Sequence, residues 1–261
     1  MHAAQEALRR GGLDEAERWA VTEQLCVAAL DCGATRTATE ALEAIEARFP
    51  ESQYARTRRL EGCAAEARGD AGAAGAAYAE LVGDPLEDGG ASADVAAMKR
   101  QAALLRAAGD YAGAAAQLNR VLAVAMCDTE TWLELADVHA RANSLRAAAY
   151  CLEEVLLAAP WNHRVWTRAA ETWHAAGEPV LARKYFAYAV ELSRGRDPAL
   201  HAARVDPRAL LGLCAACRTV AAAPQKCAPS QDDIRLNHDT LLWAHNLLTK
   251  VLPSASSLSL P

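Results

Sequence analysis

Aromatic residues are scarce in this 261-residue chain: they make up 5% of it, with only two Phe. A core assembled mainly from large rings is therefore excluded, and smaller side chains must fill the interior. The alternation of Val, Ile, Thr and aromatic residues that marks half-buried strands is nearly absent, which argues against a sheet-based fold. No run of about 18 apolar residues occurs, so no segment is expected to span a bilayer. Basic residues form no block beyond Arg56-Thr57-Arg58-Arg59, and the net charge is −6. That balance disfavours a nucleic-acid partner. The opening residues, MHAAQEALRRGGLDEAERW, are charged throughout and lack an apolar signal core, so the cytosol is the expected compartment.

Catalytic fingerprints are missing too. Gly11-Gly12 and Gly89-Gly90 stand alone and do not join a strand to a helix, as a phosphate-binding loop requires. The few Ser residues lack a nucleophile-elbow context. His163 and His174 have no acid or nucleophile at a useful spacing. Neither enzymatic activity nor a cofactor is expected. The best metal candidate is Cys214-x-x-Cys217 with Cys227 and His238 or His245, since two thiolates one helical turn apart can share a zinc ion. One such pair without a matching second pair is weak, and Ala215 and Ala216 suit a buried helix face equally well, so no metal is expected. The eight cysteines, Cys26, Cys32, Cys63, Cys127, Cys151, Cys214, Cys217 and Cys227, read as small buried hydrophobes of a reducing compartment.

What the chain does have is Ala, the best helix former, within an apolar content of 52%. The stretch WLELADVHARANSLRAAAYCLEEVLLAAP, residues 132–160, carries two helical patterns separated by Ala142-Asn143-Ser144. With Thr129 as first residue, Trp132 is fourth, Leu135 seventh, Ala136 eighth, His139 eleventh, Ala148 twentieth, Leu152 twenty-fourth, Val155 twenty-seventh and Pro160 thirty-second. That order of large and small positions is the tetratricopeptide helix-turn-helix of about 34 residues. Small residues at the eighth and twentieth places let helices A and B touch, and Pro closes helix B. Shifting by one repeat forward places Trp166, Ala170, Trp173, Ala182, Phe186 and Ala189; shifting backward places Met98, Ala102, Leu105, Ala114, Leu118 and Val121. Gly109, Asn143 and Gly177 fall at the turn, where the chain must leave the helical region. The tryptophans occupy large-residue positions and are expected in the packing core, not in an aromatic cage.

Weaker units begin near Ala55, with Gly62, Gly69, Ala74 and Tyr78 in place, and near Trp19, with Leu25, Gly33, Ala38, Leu42 and Pro50. The expected fold is an all-α, right-handed tetratricopeptide superhelix over residues 1–206, with units starting near 19, 55, 95, 129 and 163. Capping helices follow over 207–252, the last from 234 to 252, and a disordered tail over 253–261. Insertions lengthen the connections at 83–94 and 194–207, and a loop lies at 224–233.

An array of this kind offers a groove lined by its A helices. Positions two, five, nine and twelve to thirteen of helix A usually face it. These are Lys99 and Arg106 in one unit, Glu130, Leu133, Asp137 and Arg141 in the next, and Arg164, Thr167, Glu171 and His174 in the one after. The mixed charge suits an extended or helical peptide held by several polar contacts. Each position is equally compatible with a solvated helix face. One alternative is a co-chaperone adaptor that holds the C-terminal tail of a heat-shock protein. Those adaptors use a Lys and an Asn on the first A helix, an Asn on the second, and Lys and Arg on the third. Arg164 and Arg168 match the basic places, but Ala103 and Glu134 stand where both Asn belong, and Glu134 would repel a carboxylate.

The ordered set RRLEGCAAEARGDAGAAGAAYAELV, MKRQAALLRAAGDYAGAAAQLNRVLA, ETWLELADVHARANSLRAAAYCLEEVLLAAPWNH and ARKYFAYAVEL, followed by RALLGL, resembles subunit 2 of the endoplasmic reticulum membrane protein complex over roughly residues 40–250. The W-x-E-L-A opening, the A-A-x-C-L-E-E second helix, the P-x-N-H exit and R-K-Y-F-A carry the resemblance. It implies a non-catalytic scaffold peripheral to the cytosolic face of the membrane. Such a scaffold cradles cytosolic segments of membrane-embedded subunits and contacts a second soluble subunit, in a complex that inserts tail-anchored and multipass membrane proteins. The insertions at 83–94 and 194–207 and the loop bearing Cys227 depart from that pattern.

Overall fold

The computed structural model describes residues 1–49, 54–82, 94–194, 205–222 and 231–251, and every regular element among them is an α-helix. The expectations for 83–93, 195–204, 224–230 (with Cys227) and 253–261 lie outside the described residues. The chain divides into two compact units, residues 1–126 and 127–261. The first holds α1 (His2–Arg10) and three helical pairs: α2 (Glu15–Asp31) with α3 (Thr35–Arg48), α4 (Tyr54–Ala67) with α5 (Ala71–Ala79), and α6 (Val95–Ala107) with α7 (Tyr111–Val124). The second holds α8 (Thr129–Arg141) with α9 (Leu145–Ala158), α10 (His163–Ala175) with α11 (Pro179–Arg194), then α12 (Pro207–Ala222) and α13 (Gln231–Val251). The tetratricopeptide register therefore appears as five helical hairpins. Two features were not legible in advance: α1, packed on α2, and the start of α13 at Gln231 rather than Ile234.

Local chemistry sets the helix boundaries. Asp14 and Glu17 form a reciprocal capping box at the start of α2: the Glu17 amide donates to Asp14 at 2.7 Å and the Asp14 amide to Glu17 at 3.1 Å. Asp70, Asp94, Asp110 and Asn162 likewise accept from the first-turn amides of α5, α6, α7 and α10. At the A-to-B turns the chain enters the left-handed region at Gly109 (φ 82), Asn143 (φ 59) and Gly177 (φ 82). There the next amide reaches back five residues, as in Asp110 N–H to Leu105 O at 3.0 Å and Ser144 N–H to His139 O at 2.8 Å. Those bonds satisfy carbonyls that the helix ends would otherwise leave bare.

Small residues sit where A meets B. Ala136 and Ala148 are each 1% exposed, and Ala170 and Ala182 are completely buried. In the weaker unit the eighth position is Gly62, because the fully buried Tyr78 ring occupies the space a Cβ would need: a Cβ there would stand 2.4 Å from Tyr78 Cε1. The second unit's core gathers Phe186, Leu210, Leu213 and Leu248 from α11, α12 and α13. Each such side chain contributes about 1.5–3 kcal/mol on burial. α12 packs on α10 and α11 as the A helix of a further pair would, and α13 lies along α12. A buried polar network fixes that last helix: Arg183 donates to Asn237 Oδ1 at 2.9 Å, and Asn237 donates to the Cys217 carbonyl at 2.9 Å.

Two packing expectations need correction. Trp132, Trp166 and Trp173 are half-buried, not fully enclosed: Trp166 and Trp173 pack against the second unit's buried core while part of each ring stays accessible. Each ring also has a partner: Trp132 meets Tyr150 edge-on, Trp166 donates to the Pro160 carbonyl at 2.7 Å, and Trp173 donates to Glu153 at 3.1 Å. A ring with an N–H gains by keeping that end near a polar partner. Cysteine burial is also uneven. Cys26, Cys151, Cys214 and Cys217 are buried, whereas Cys32 and Cys127 lie in exposed turns.

Candidate functional site

In the second unit α8, α10 and α12 are successive A helices, and charged side chains bridge them. Arg168 of α10 pairs with Asp137 of α8. Arg208 of α12 clamps Glu171 of α10 with bonds of 2.5 and 2.6 Å. His174 Nε2 meets Thr219 Oγ1 at 3.0 Å. The first unit repeats the arrangement on α2, α4 and α6: Glu23 pairs with Arg56, Glu66 with Arg100 at 3.2 Å, and Arg59 with Asp94 at 2.9 Å. In four of these five ion pairs an acid on one A helix meets an Arg on the next, and in Arg59–Asp94 the order is reversed. Exposed pairs of this kind contribute about 0.2–1 kcal/mol each, so the ladder holds side-chain positions more than it holds the fold.

This geometry sorts the candidate residues. Asp137 and Glu171 are committed to intramolecular pairs, and His174 to Thr219. Arg141 and Arg164 are exposed and make no ion pair among the described residues. Arg164 sits at the start of α10 and Arg141 at the end of α8. Glu130 is exposed, Lys99 and Arg106 are half-buried, and the latter two belong to the first unit. Thr167 is not presented on the face at all: it is 2% exposed and donates to the His163 carbonyl at 2.9 Å. Leu133 is half-buried. Arg208 and Thr219 were missed because their partners lie one hairpin away, beyond the reach of any within-helix spacing. Arg168, one basic match for the heat-shock adaptor, is held by Asp137 instead.

The thiol pair is buried. Burial pushes the Cys217 thiol up to about 11 and raises that of Cys214, so both stay protonated at neutral pH. Among the described residues no three His, Cys, Asp or Glu side chains are placed to hold a metal ion. No helix among them is long and apolar enough to cross a membrane.

Residues 51–176 match the family model described as the EMC2 TPR-like repeat domain. ER membrane protein complex subunit 2 of Xenopus tropicalis is 32% identical over 235 residues, covering 89% of this chain and 72% of the relative. The chain belongs to the ER membrane protein complex subunit 2 family. A second member, from Dictyostelium discoideum, is 33% identical over 150 residues, covering 58% of this chain and 44% of its own. Among solved structures, PilF of Pseudomonas aeruginosa superposes with a TM-score of 0.54 at 16% identity, covering 92% of this chain and 93% of that one. At that identity the likeness establishes the helical-repeat fold alone. The family match runs from α4 to the end of α10, so it takes in the ladder positions on α4, α6, α8 and α10, while α2 and α12 lie outside it.

Proposed function

We propose that this chain is a non-catalytic scaffold subunit of the ER membrane protein complex. It sits peripherally on the cytosolic side and holds cytosolic segments of membrane-embedded subunits in support of membrane-protein insertion. A second soluble subunit is a further partner. The observation that carries this reading is the A-helix face of the second unit. Asp137 and Glu171 are spent on the ladder to Arg168 and Arg208, while Arg141 and Arg164 stand exposed without an ion pair among the described residues. A braced face with unspent guanidinium groups suits backbone carbonyls and carboxylates of an extended segment. Tethering through protein is favoured over lipid adsorption, because α13 carries Arg235 and Lys250 against Asp232, Asp233 and Asp239 and so is no basic amphipathic helix.

The test is the double reversal Arg141→Glu and Arg164→Glu. Glu is unfavourable at the C-terminal end of α8 but favourable at the N-terminal end of α10, so the helix-dipole effects offset and folding is preserved. Co-purification with the membrane-embedded subunits is expected to fall while the circular dichroism spectrum is unchanged. Wild-type yield of the complex would move the docking surface off the second unit's A-helix face.

A further inference from the structure

The chain's negative charge is not evenly spread. Residues 1–126 hold 13 Lys and Arg against 19 Asp and Glu, whereas residues 127–261 hold 14 of each. The whole net charge of −6 therefore belongs to the first unit. On that unit's A-helix face, α2, α4 and the start of α6 enclose a groove of about 590 Å³. Val27, Leu30 and Leu60 give it apolar walls, and Gln24 and Asp31 stand at its exposed rim. Its basic groups are already engaged: Arg59 with Asp94 and Arg100 with Glu66. Asp31 makes no hydrogen bond or ion pair among the described residues. It is also the last residue of α2, where the helix dipole disfavours a carboxylate. A carboxylate left unpaired at the C-terminal end of a helix, beside a groove with apolar walls, is open to a cation from outside the fold.

From these observations we infer that the α2–α4–α6 groove docks a basic partner segment, one that seats an apolar side chain between Val27, Leu30 and Leu60 and sets Lys or Arg against Asp31. The chemistry agrees with where such segments occur: cytosolic loops near the ends of membrane-spanning helices carry an excess of Lys and Arg. The inference rests on the scaffold reading and adds the charge and shape of the segment bound by the first unit. The groove's paired arginines cannot serve an acidic ligand without breaking their own ion pairs, which separates this site from the second unit's face with its unspent Arg141 and Arg164.

The test titrates the full chain with a short synthetic peptide bearing two Leu among four Lys. The comparison peptides carry Glu in place of every Lys, or Ser in place of both Leu. The Leu–Lys peptide is expected to bind at least about tenfold more tightly than either. Asp31→Lys and Gln24→Arg, both at exposed rim positions, are expected to weaken it severalfold. Asp31→Asn is expected to weaken binding while raising the thermal midpoint by about 1–3 °C, because it relieves the helix end. Equal binding of the Ser peptide would reduce the attraction to diffuse charge and overturn the inference, as would unchanged affinity in the two rim variants. The same titration on the Arg141→Glu, Arg164→Glu chain separates the two readings. Retained peptide binding with undiminished co-purification would sink only the second-unit docking face, whereas lost co-purification without any peptide binding by the wild type would sink only this groove.

Discussion

Replacing Gly62 by Ala sets two effects of opposite sign against each other in one residue. Gly62 lies inside α4, where Ala is the better helix former by about 1 kcal/mol. The new Cβ, however, would lie 2.4 Å from Tyr78 Cε1 and 2.7 Å from Cζ, well inside contact distance. The ring cannot swing into solvent, because Tyr78 is completely buried and its hydroxyl donates to Glu66 at 2.6 Å. Relief by moving the ring costs about 1–3 kcal/mol of overpacking. It also strains a hydrogen bond to a charged acceptor whose loss is of order 1.5–3 kcal/mol. The clash wins, and Gly62→Ala is expected to destabilise by about 1–4 kcal/mol. Gly75, in α5 of the same hairpin, is the control: a Cβ there meets nothing within 4 Å. Gly75→Ala is expected to stabilise by about 0.5–1 kcal/mol through propensity alone. Urea denaturation of the two variants, with Gly62→Ala/Tyr78→Leu as the relieved double mutant, measures the contrast. If Gly62→Ala raises the midpoint as Gly75→Ala does, the Tyr78 ring does not limit the approach of α4 and α5, and the reasoning fails.

Three further outcomes follow from the same packing. Ala148→Leu, at the 1%-exposed contact between α8 and α9, is expected to overpack by about 1–3 kcal/mol in a thermal melt. His139 sits in the last turn of α8, where the dipole favours a cation, yet burial lowers its pKa below the ordinary 6.5. The unfolded chain then takes up the proton first as pH falls below 6.5, so stability declines there, and His139→Gln should flatten that part of the stability–pH curve relative to wild type. Elemental analysis of chelator-washed protein is expected to find no stoichiometric zinc, since Cys214 and Cys217 are buried as protonated thiols; one zinc per chain would reverse that reading.

The repeat register was legible in the sequence because it depends on volumes at fixed intervals. Ala136 and Ala148, or Gly62 and Tyr78, can meet only if small and large residues recur every helical hairpin, and that recurrence is written along the chain. The left-handed turns at Gly109, Asn143 and Gly177 were legible for the same reason: a local backbone requirement selects a residue type. The family resemblance followed from the same ordered motifs. What stayed hidden was whatever depends on which helix becomes a neighbour. Asp137 pairs with a residue 31 positions on and Glu171 with one 37 positions on, so no constant interval reveals the ladder, and long side chains absorb the difference. The half-burial of Trp166 and Trp173 is likewise settled by packing, which sets each ring against the core while its indole N–H reaches an acceptor. So is the burial of Arg183, a guanidinium that becomes tolerable in the core only once Asn237 of α13 arrives to accept its hydrogen bond. Pattern and propensity, being local, determined the helices and their pairing; charge pairing and exposure, being properties of surfaces that exist only after packing, were decided by the tertiary structure.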